Sequence, residues 1–390
     1  MSQKDKLVYA NAIRDRYLGS NKQEKKIILD EFCKVCNYNR KYAIRLLNKP
    51  VNKWQKRKKR GRKSKYDNKD FIKVLKIIWE ATDYLCSKRL HAAIPIWLPY
   101  LDSDRINITD NIKKDLLSIS APTIDRVLKK SRIKSKKGLG GTKPGSLLKN
   151  QIPIKTDNWA VNKPGFMEAD TVAHCGNNLQ GDFIWSLTMT DIITGWTENR
   201  AVWNKGAVGV KEQVISIENA VPFDLLGFDC DNGSEFLNYH LLRYFNENGK
   251  NTQFTRSRPY KKNDNAYVEQ KNWTQVRHLF GYDRLEDESL VEPMNDLYAN
   301  EWSLYNNYFR PSQKLIEKTK INSKYIKKYD KPRTPYQRVL DSEYVSEEKK
   351  EELKKIYKQL NPFELKYKIE YKLKEIFKNV IVTSNVRHRI

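Results

Sequence analysis

The sequence predicts an α+β multidomain chain: all-α units first, then an α/β unit on a mixed five-stranded sheet, then a mostly α-helical extension. Three observations predict it. Apolar residues recur at helical spacing through about the first 130 residues. Between about Trp159 and Gly281, short strands and helices follow one another as β-β-β-α-β-α-β-α. Beyond Lys320 come two charged helical stretches, near 346–360 and 363–378. A length of 390 residues allows two or three domains. Hydrophobic residues make up 39% and are spread throughout, which excludes a disordered chain. No run approaches a membrane span, and the N-terminus MSQKDKLVYA lacks an apolar signal core. A cytoplasmic, nucleoid-associated bacterial address is expected, with no membrane partner.

The elements follow in order. Residues 5–19 and 22–36 have helical spacing, and Ile27, Ile28, Phe32 and Val35 are expected to form one apolar stripe. After the turn Asn37-Tyr38-Asn39, RKYAIRLLN reads as a short helix with Ala43, Leu46 and Leu47 on one side. Helix, turn, basic helix is a helix-turn-helix pattern. It would turn Arg40, Lys41 and Arg45 to the major groove or its phosphates. Cys33-x-x-Cys36 has no second pair nearby, so two small apolar residues on a helix face are expected rather than a zinc site. Residues 67–132 read as a second helical unit. In it Ser118 or Ser120 caps, Pro122 fits a first turn, and Arg126, Lys129 and Lys130 form a basic face. A plain helical packing module is the alternative. The expected division is 1–52 helix-turn-helix, 53–66 basic linker, 67–132 second helical DNA-binding domain, 133–158 basic linker, 159–318 catalytic core and 319–390 extension.

Charge is uneven along the chain. Residues 1–150 hold 38 basic and 14 acidic residues, which accounts for most of the net +27. A polyanion partner is the simplest cause, and double-stranded DNA is the expected one. Lys53 to Lys65 carries nine basic residues in thirteen. Its Arg60-Gly61-Arg62 either enters a narrow minor groove or touches phosphates as a solvated linker.

In the middle region, Phe166–Val172, Phe183–Thr190 and Gly195–Val202 read as three antiparallel strands. The following βα units complete the ordering of the ribonuclease H-like fold. That topology would gather Asp170 on the first strand, Asp231 past the fourth and Glu269 early on the last helix. Three carboxylates without a thiolate suit Mg²⁺ or Mn²⁺, and two such ions can activate both oxygens of a phosphodiester exchange. Taken singly, Asp231-Asn232-Gly233 also reads as a tight turn, Asp170 as a strand residue and Glu269 as a solvated helix acid.

The motifs carry a more specific resemblance. CDNGSEF resembles the second-aspartate motif of retroviral-type integrases and related insertion-sequence transposases. KKNDNAYVEQKNW resembles their glutamate motif, with Glu269 thirty-eight residues after Asp231, and GFMEADTVAHCG their first-aspartate strand. The likeness spans about Trp159 to Lys318, and the His-His-Cys-Cys zinc module of retroviral integrases does not precede it.

That resemblance implies a DDE transposase, with Asp170, Asp231 and Glu269 as triad and metal ligands, that pairs two DNA ends as a homo-oligomer. The reaction it implies is 3′-end cleavage followed by strand transfer. Around the triad, Arg258, Lys261 and Lys262 are candidates to hold phosphates, and Lys271 and Arg277 to contact DNA from the glutamate helix. Trp273, on the same helix, is expected to pack, and His174 to be structural. Two rivals remain: a nuclease of the same core that never joins strands, and a DNA-binding regulator with an inert core.

Overall fold

The computed structural model describes residues 1–49, 65–102, 108–129, 131, 162–231, 233–246, 250, 252–257, 268, 271–321 and 324–387. It divides into two compact units, Met1–Ser64 and Lys65–Ile390. The fold class is the one the sequence predicts: N-terminal helices, a central mixed five-stranded sheet, and a largely helical C-terminal region.

The first unit holds three helices, α1 (Gln3–Gly19), α2 (Lys22–Cys36) and α3 (Arg40–Leu47). Ser2 with Asp5, and Asn21 with Glu24, form capping boxes that satisfy the first free N–H groups of α1 and α2. Asn37 adopts a left-handed conformation (φ 50°) that ends α2, and Asn39 then caps α3. The core comprises Ala10, Tyr17, Ile28, Leu29, Phe32, Cys36, Ala43 and Leu47. The expected stripe on α2 is therefore rotated by one residue. Ile27 and Val35 are 66% and 49% exposed, while Leu29 and Cys36 turn inward. With several neighbouring apolar positions on α2, only packing against α1 and α3 selects which face is covered.

The second unit begins with α4 (Lys69–Ala81), α5 (Ser87–Trp97), α6 (Asp110–Ser118) and α7 (Ala121–Leu128). Ser120 occupies the N-cap position of α7, with a proline in the first turn. The sheet is formed by β1 (Phe166–Ala173), β2 (Ile184–Asp191), β3 (Thr197–Trp203), β4 (Gly227–Cys230) and β5 (Gln253–Arg256). Their spatial order is β3-β2-β1-β4-β5. β1, β2 and β3 pair antiparallel, and β1, β4 and β5 parallel. The parallel half needs crossovers, supplied by α8 (Ala207–Ala220) and α9 (Tyr239–Asn246). Gly165, at φ 108°, leads into β1, where an added Cβ would fall 2.3 Å from the Asp224 carbonyl oxygen.

Two helices follow. α10 is the π-helical Asn272–Arg277 with its α-helical continuation His278–Phe280. α11 runs through Val291–Leu297, a π-helical Tyr298–Trp302 and Ser303–Phe309. α11 closes the β3 edge of the sheet with two asparagines. Asn295 exchanges hydrogen bonds with the N–H and C=O of Ala201 (2.6 and 3.0 Å), and Asn307 does the same with Thr197 (3.0 and 3.0 Å). These amides occupy the place of a sixth strand.

The helices of 67–132 share one hydrophobic core with the sheet. Trp97 is fully buried, donates from Nε1 to the Phe309 carbonyl (2.8 Å), and meets the rings of Tyr305, Phe309 and Phe363 edge-on. After α11 comes a hairpin, β6 (Leu315–Ile321) and β7 (Lys324–Tyr329), then α12 (Pro335–Leu340), α13 (Glu347–Gln359) and α14 (Pro362–Arg387). The hairpin is an element that the expected mostly α-helical extension does not include. Among the described residues no helix is long and apolar enough to cross a membrane.

Candidate active site

The last registered pairs between β1 and β4 are Glu168 with Asp229 and Ala169 with Cys230. One step further along both parallel strands are Asp170, still within β1, and Asp231, just past the end of β4, where open α/β sheets form sites. Asp229 is fully buried in mid-strand and accepts from the Thr255 hydroxyl (2.6 Å). Asp231, in contrast, accepts from the Gly233 N–H (2.8 Å) in the turn after β4. Asp170 accepts from the Thr171 N–H (2.8 Å) on one oxygen and from Asn272 Nδ2 (2.6 Å) on the other.

Glu269 lies outside the described residues, as do Arg258, Lys261 and Lys262. The described residues on either side of position 269 are bonded to β1: the Val268 N–H donates to Glu168 Oε2 (3.2 Å), and Asn272 to Asp170. Among the described residues no group of three His, Cys, Asp or Glu is disposed to hold a metal.

Sequence reasoning missed a fourth carboxylate, Glu235. It is buried, accepts from the Thr171 hydroxyl (2.9 Å), and pairs with Lys205 Nζ at 3.3 Å. Lys205 also lies over the Trp185 ring, 4.4 Å from its centroid. Burial, then the charge of Glu235, push the Asp231 carboxyl up to about 6, against the Gly233 N–H and Lys205, which favour its ionised form. The signal for Glu235 was within CDNGSEF, four residues past Asp231. Asn272 was within reach too, three residues past Glu269 in the sequence.

The other predicted positions are dispersed. Arg40 is paired with Asp30, Lys41 is exposed, and Arg45 lies over the Tyr42 ring. Arg126 is exposed and bonds back to Pro122 and Thr123 of its own helix, and Lys129 is exposed. Arg60, Arg62 and Lys130 lie outside the described residues. Arg277 donates to the Ala173 carbonyl (2.9 Å) and stacks on Tyr282. Lys271 donates to the Gly195 carbonyl (3.1 Å) at the β2–β3 turn, and burial lowers its ammonium to about 7.

Trp273 does not pack as expected. It is 59% exposed, because α10 turns Gln275, Val276, Leu279 and Phe280 inward instead. His174 is structural, as expected. It is fully buried, with Nε2 2.8 Å from the Ser186 hydroxyl.

No family model matches the chain. Among solved structures, it is similar to the integrase catalytic core domain of HTLV-2 in complex with magnesium, a dimeric form. That pair is 12% identical, covers 38% of this chain and 90% of that one, and has a TM-score of 0.28. It is also similar to the catalytic core domain of BIV integrase, with 15% identity, coverage of 46% and 95%, and a TM-score of 0.30. The fold assignment rests on the sheet's own strand order, since scores of that size add no weight to it. A longer similarity is to the uncharacterized protein y4rM of Sinorhizobium fredii (strain NBRC 101917 / NGR234), 37% identical over 337 residues, which covers 84% of this chain and 93% of that protein. By the extent of that match, the chain belongs to the family of y4rM.

Proposed function

We propose that this protein is a DDE-type polynucleotidyl transferase that cuts the 3′ ends of a mobile DNA element and joins them to target DNA. The observation that carries this reading is the parallel register of β1 with β4, with Asp170 one step past the last pair on β1 and Asp231 just past the end of β4. It is supported by the bond from Asn272, three residues past Glu269, to Asp170. The triad is Asp170, Asp231 and Glu269.

The residues present fit a divalent cation. Two adjacent carboxylates, one lifted to about 6 by burial and by Glu235, are costly without a compensating charge. Asp170 and Asp231 would hold Mg²⁺ or Mn²⁺, with Glu269 as the third ligand of a two-ion site. Such ions supply activation of the attacking oxygen and charge stabilisation at the leaving oxygen. The chain's own residues orient the acids. Thr171 N–H and Asn272 hold both Asp170 oxygens, Gly233 N–H holds Asp231, and the Thr171–Glu235–Lys205 chain braces the floor behind them. In the first step a water oxygen bonds to phosphorus, the bond to O3′ breaks, and O3′ takes a proton. In the second, that O3′ attacks a target phosphodiester and displaces the target's O3′.

Exposed Trp273, one residue past Asn272, is placed to stack on a base near the cut. The first unit, with Arg40, Lys41 and Arg45, is the proposed end-binding arm. Arg126 and Lys129 add phosphate contacts, and a homo-oligomer would pair two DNA ends.

A labelled terminal-repeat duplex incubated with a target plasmid and Mg²⁺ tests the reading. Joined products are expected from the parent. Asp231→Asn should lower cleavage by about 10³-fold or more while leaving duplex binding within about twofold. Nicks without joining would indicate a nuclease, and equal cutting by Asp231→Asn would refute the site.

A further inference from the structure

A cavity of about 270 Å³ opens in the second unit, lined in part by Gly195 of the β2–β3 turn. Four cations line it: Arg89 from α5, Lys271 beside α10, Arg310 just past α11, and Lys314 before β6, together with Thr190 and Gln275. Their visible partners are mostly neutral. Arg89 Nε donates to the Pro311 carbonyl (2.5 Å), Lys271 to Gly195, Lys314 to the Ile193 carbonyl (2.7 Å), and Arg310 to Asn306 Oδ1 (2.8 Å).

Among the described residues no carboxylate lines the cavity. Asp83, 3.9 Å from Arg310, is already engaged by Lys366 and the Tyr305 hydroxyl. Asp330 is taken by Arg338, and Asp191 by the N–H groups of Gly165, Ile193 and Thr194. Arg310 is more than nine-tenths buried, and its Nε–H has no partner among the described residues. Burial and the nearby Arg310 also lower the Arg89 guanidinium to about 10. Among the described residues these four like charges share one acidic partner within ion-pair distance, Asp83 beside Arg310, and a donor is left open.

We propose that this cavity binds a phosphate group, held by Arg89, Lys271, Arg310 and Lys314. Two guanidinium forks and two ammonium groups offer many donors, which suits a tetrahedral dianion better than a carboxylate. The space admits one phosphate with a small organic remainder, not a length of duplex. The group is carried either by a free phosphorylated small molecule or by the 5′ end of a DNA strand. The proposal stands on the cavity alone and survives failure of the catalytic reading.

Calorimetric titration of the full chain with inorganic phosphate, at ionic strength held constant with chloride, tests it. Saturable binding is expected in the parent. Arg89→Gln and Lys314→Met should each weaken it roughly tenfold or more, and exposed Lys349→Met should leave it unchanged. A phosphate-dependent rise in unfolding midpoint, lost in the same two variants, gives a second readout on protein that is demonstrably folded. Duplexes with a 5′-phosphate or a 5′-hydroxyl separate the sources. Cavity variants that weaken inorganic phosphate and also the 5′-phosphate duplex, but not the 5′-hydroxyl one, point to a strand end, and variants that weaken inorganic phosphate and neither duplex point to a free ligand. The proposal is overturned if phosphate gives no saturable binding above chloride, or if both cavity variants bind it like the parent.

Discussion

His174 is buried against the Ser186 hydroxyl, which in turn meets the Tyr298 hydroxyl at 2.8 Å, and its Nδ1 has no partner among the described residues. A second proton would sit uncompensated, and burial lowers the imidazole to about 3. The unfolded chain, with an ordinary histidine, takes that proton below about pH 6.5. His174 therefore contributes stability that is complete above that pH and fades as pH falls toward 3, by at most about 1.4 kcal/mol per unit. Urea unfolding at pH 7 and pH 5 should show the parent losing about 2 kcal/mol more than His174→Gln. Equal losses would mean that the imidazole is already charged in the folded protein. Asp231 has the opposite sign. Its folded value is raised, so its ionisation costs stability as pH rises from about 4 to about 6 and the cost persists above. Asp231→Asn should therefore raise the unfolding free energy at pH 7.5 in chelator, by on the order of 1–3 kcal/mol. Mg²⁺ should stabilise the parent and not the variant. A variant less stable than the parent in chelator would show that no repulsion is stored there.

Among the elements, α11 joins the sheet edge to the helices that precede it in the second unit. Its asparagines close the β3 edge, and the residues around Phe309 receive α5. Asn307→Ala removes both partners of a buried backbone N–H and C=O and should cost about 2–4 kcal/mol in thermal or denaturant unfolding. Asn295→Ala should cost somewhat less, because that site is only partly buried. Trp97→Ala empties the largest buried side chain between α5 and α11 and should cost about 3–5 kcal/mol. If Trp97→Ala instead unfolds residues 67–132 and leaves the sheet transition unmoved, the helices and sheet do not form one cooperative unit. The apolar runs of α4 and α5 were legible as helices from spacing. Their junction with α11 was not, since it joins residues more than 200 positions apart through a Trp97–Phe309 hydrogen bond and ring contacts.

For the whole molecule, charge and chemistry are segregated. Residues 1–64 carry 20 basic and 5 acidic residues, while residues 151–320 have a slight acidic excess. With the first unit as the DNA arm, affinity for terminal DNA should fall roughly tenfold or more between about 50 and about 200 mM salt. A chain lacking residues 1–64 should bind with a clearly shallower salt dependence in filter binding or anisotropy. Indistinguishable slopes would assign the phosphate contacts to the second unit.

Local pattern was enough for the order of strands and helices, the turn that sets Asp231 just past β4, and the charge on the first part of the chain. Each depends on neighbouring residues: alternation, helical spacing, and an Asp-Asn-Gly turn closing an apolar strand. Long-range packing settled the rest. It rotated the covered face of α2 by a residue, exposed Trp273, and brought Glu235 and Lys205 behind Asp231. It also gathered Arg89, Lys271, Arg310 and Lys314, drawn from four separate segments, around one cavity. Spacing along the chain says which residues share an element's face. Which face is buried, and which distant charges meet, follow from the free energy of covering apolar surface in three dimensions, to which segments far apart in sequence contribute together.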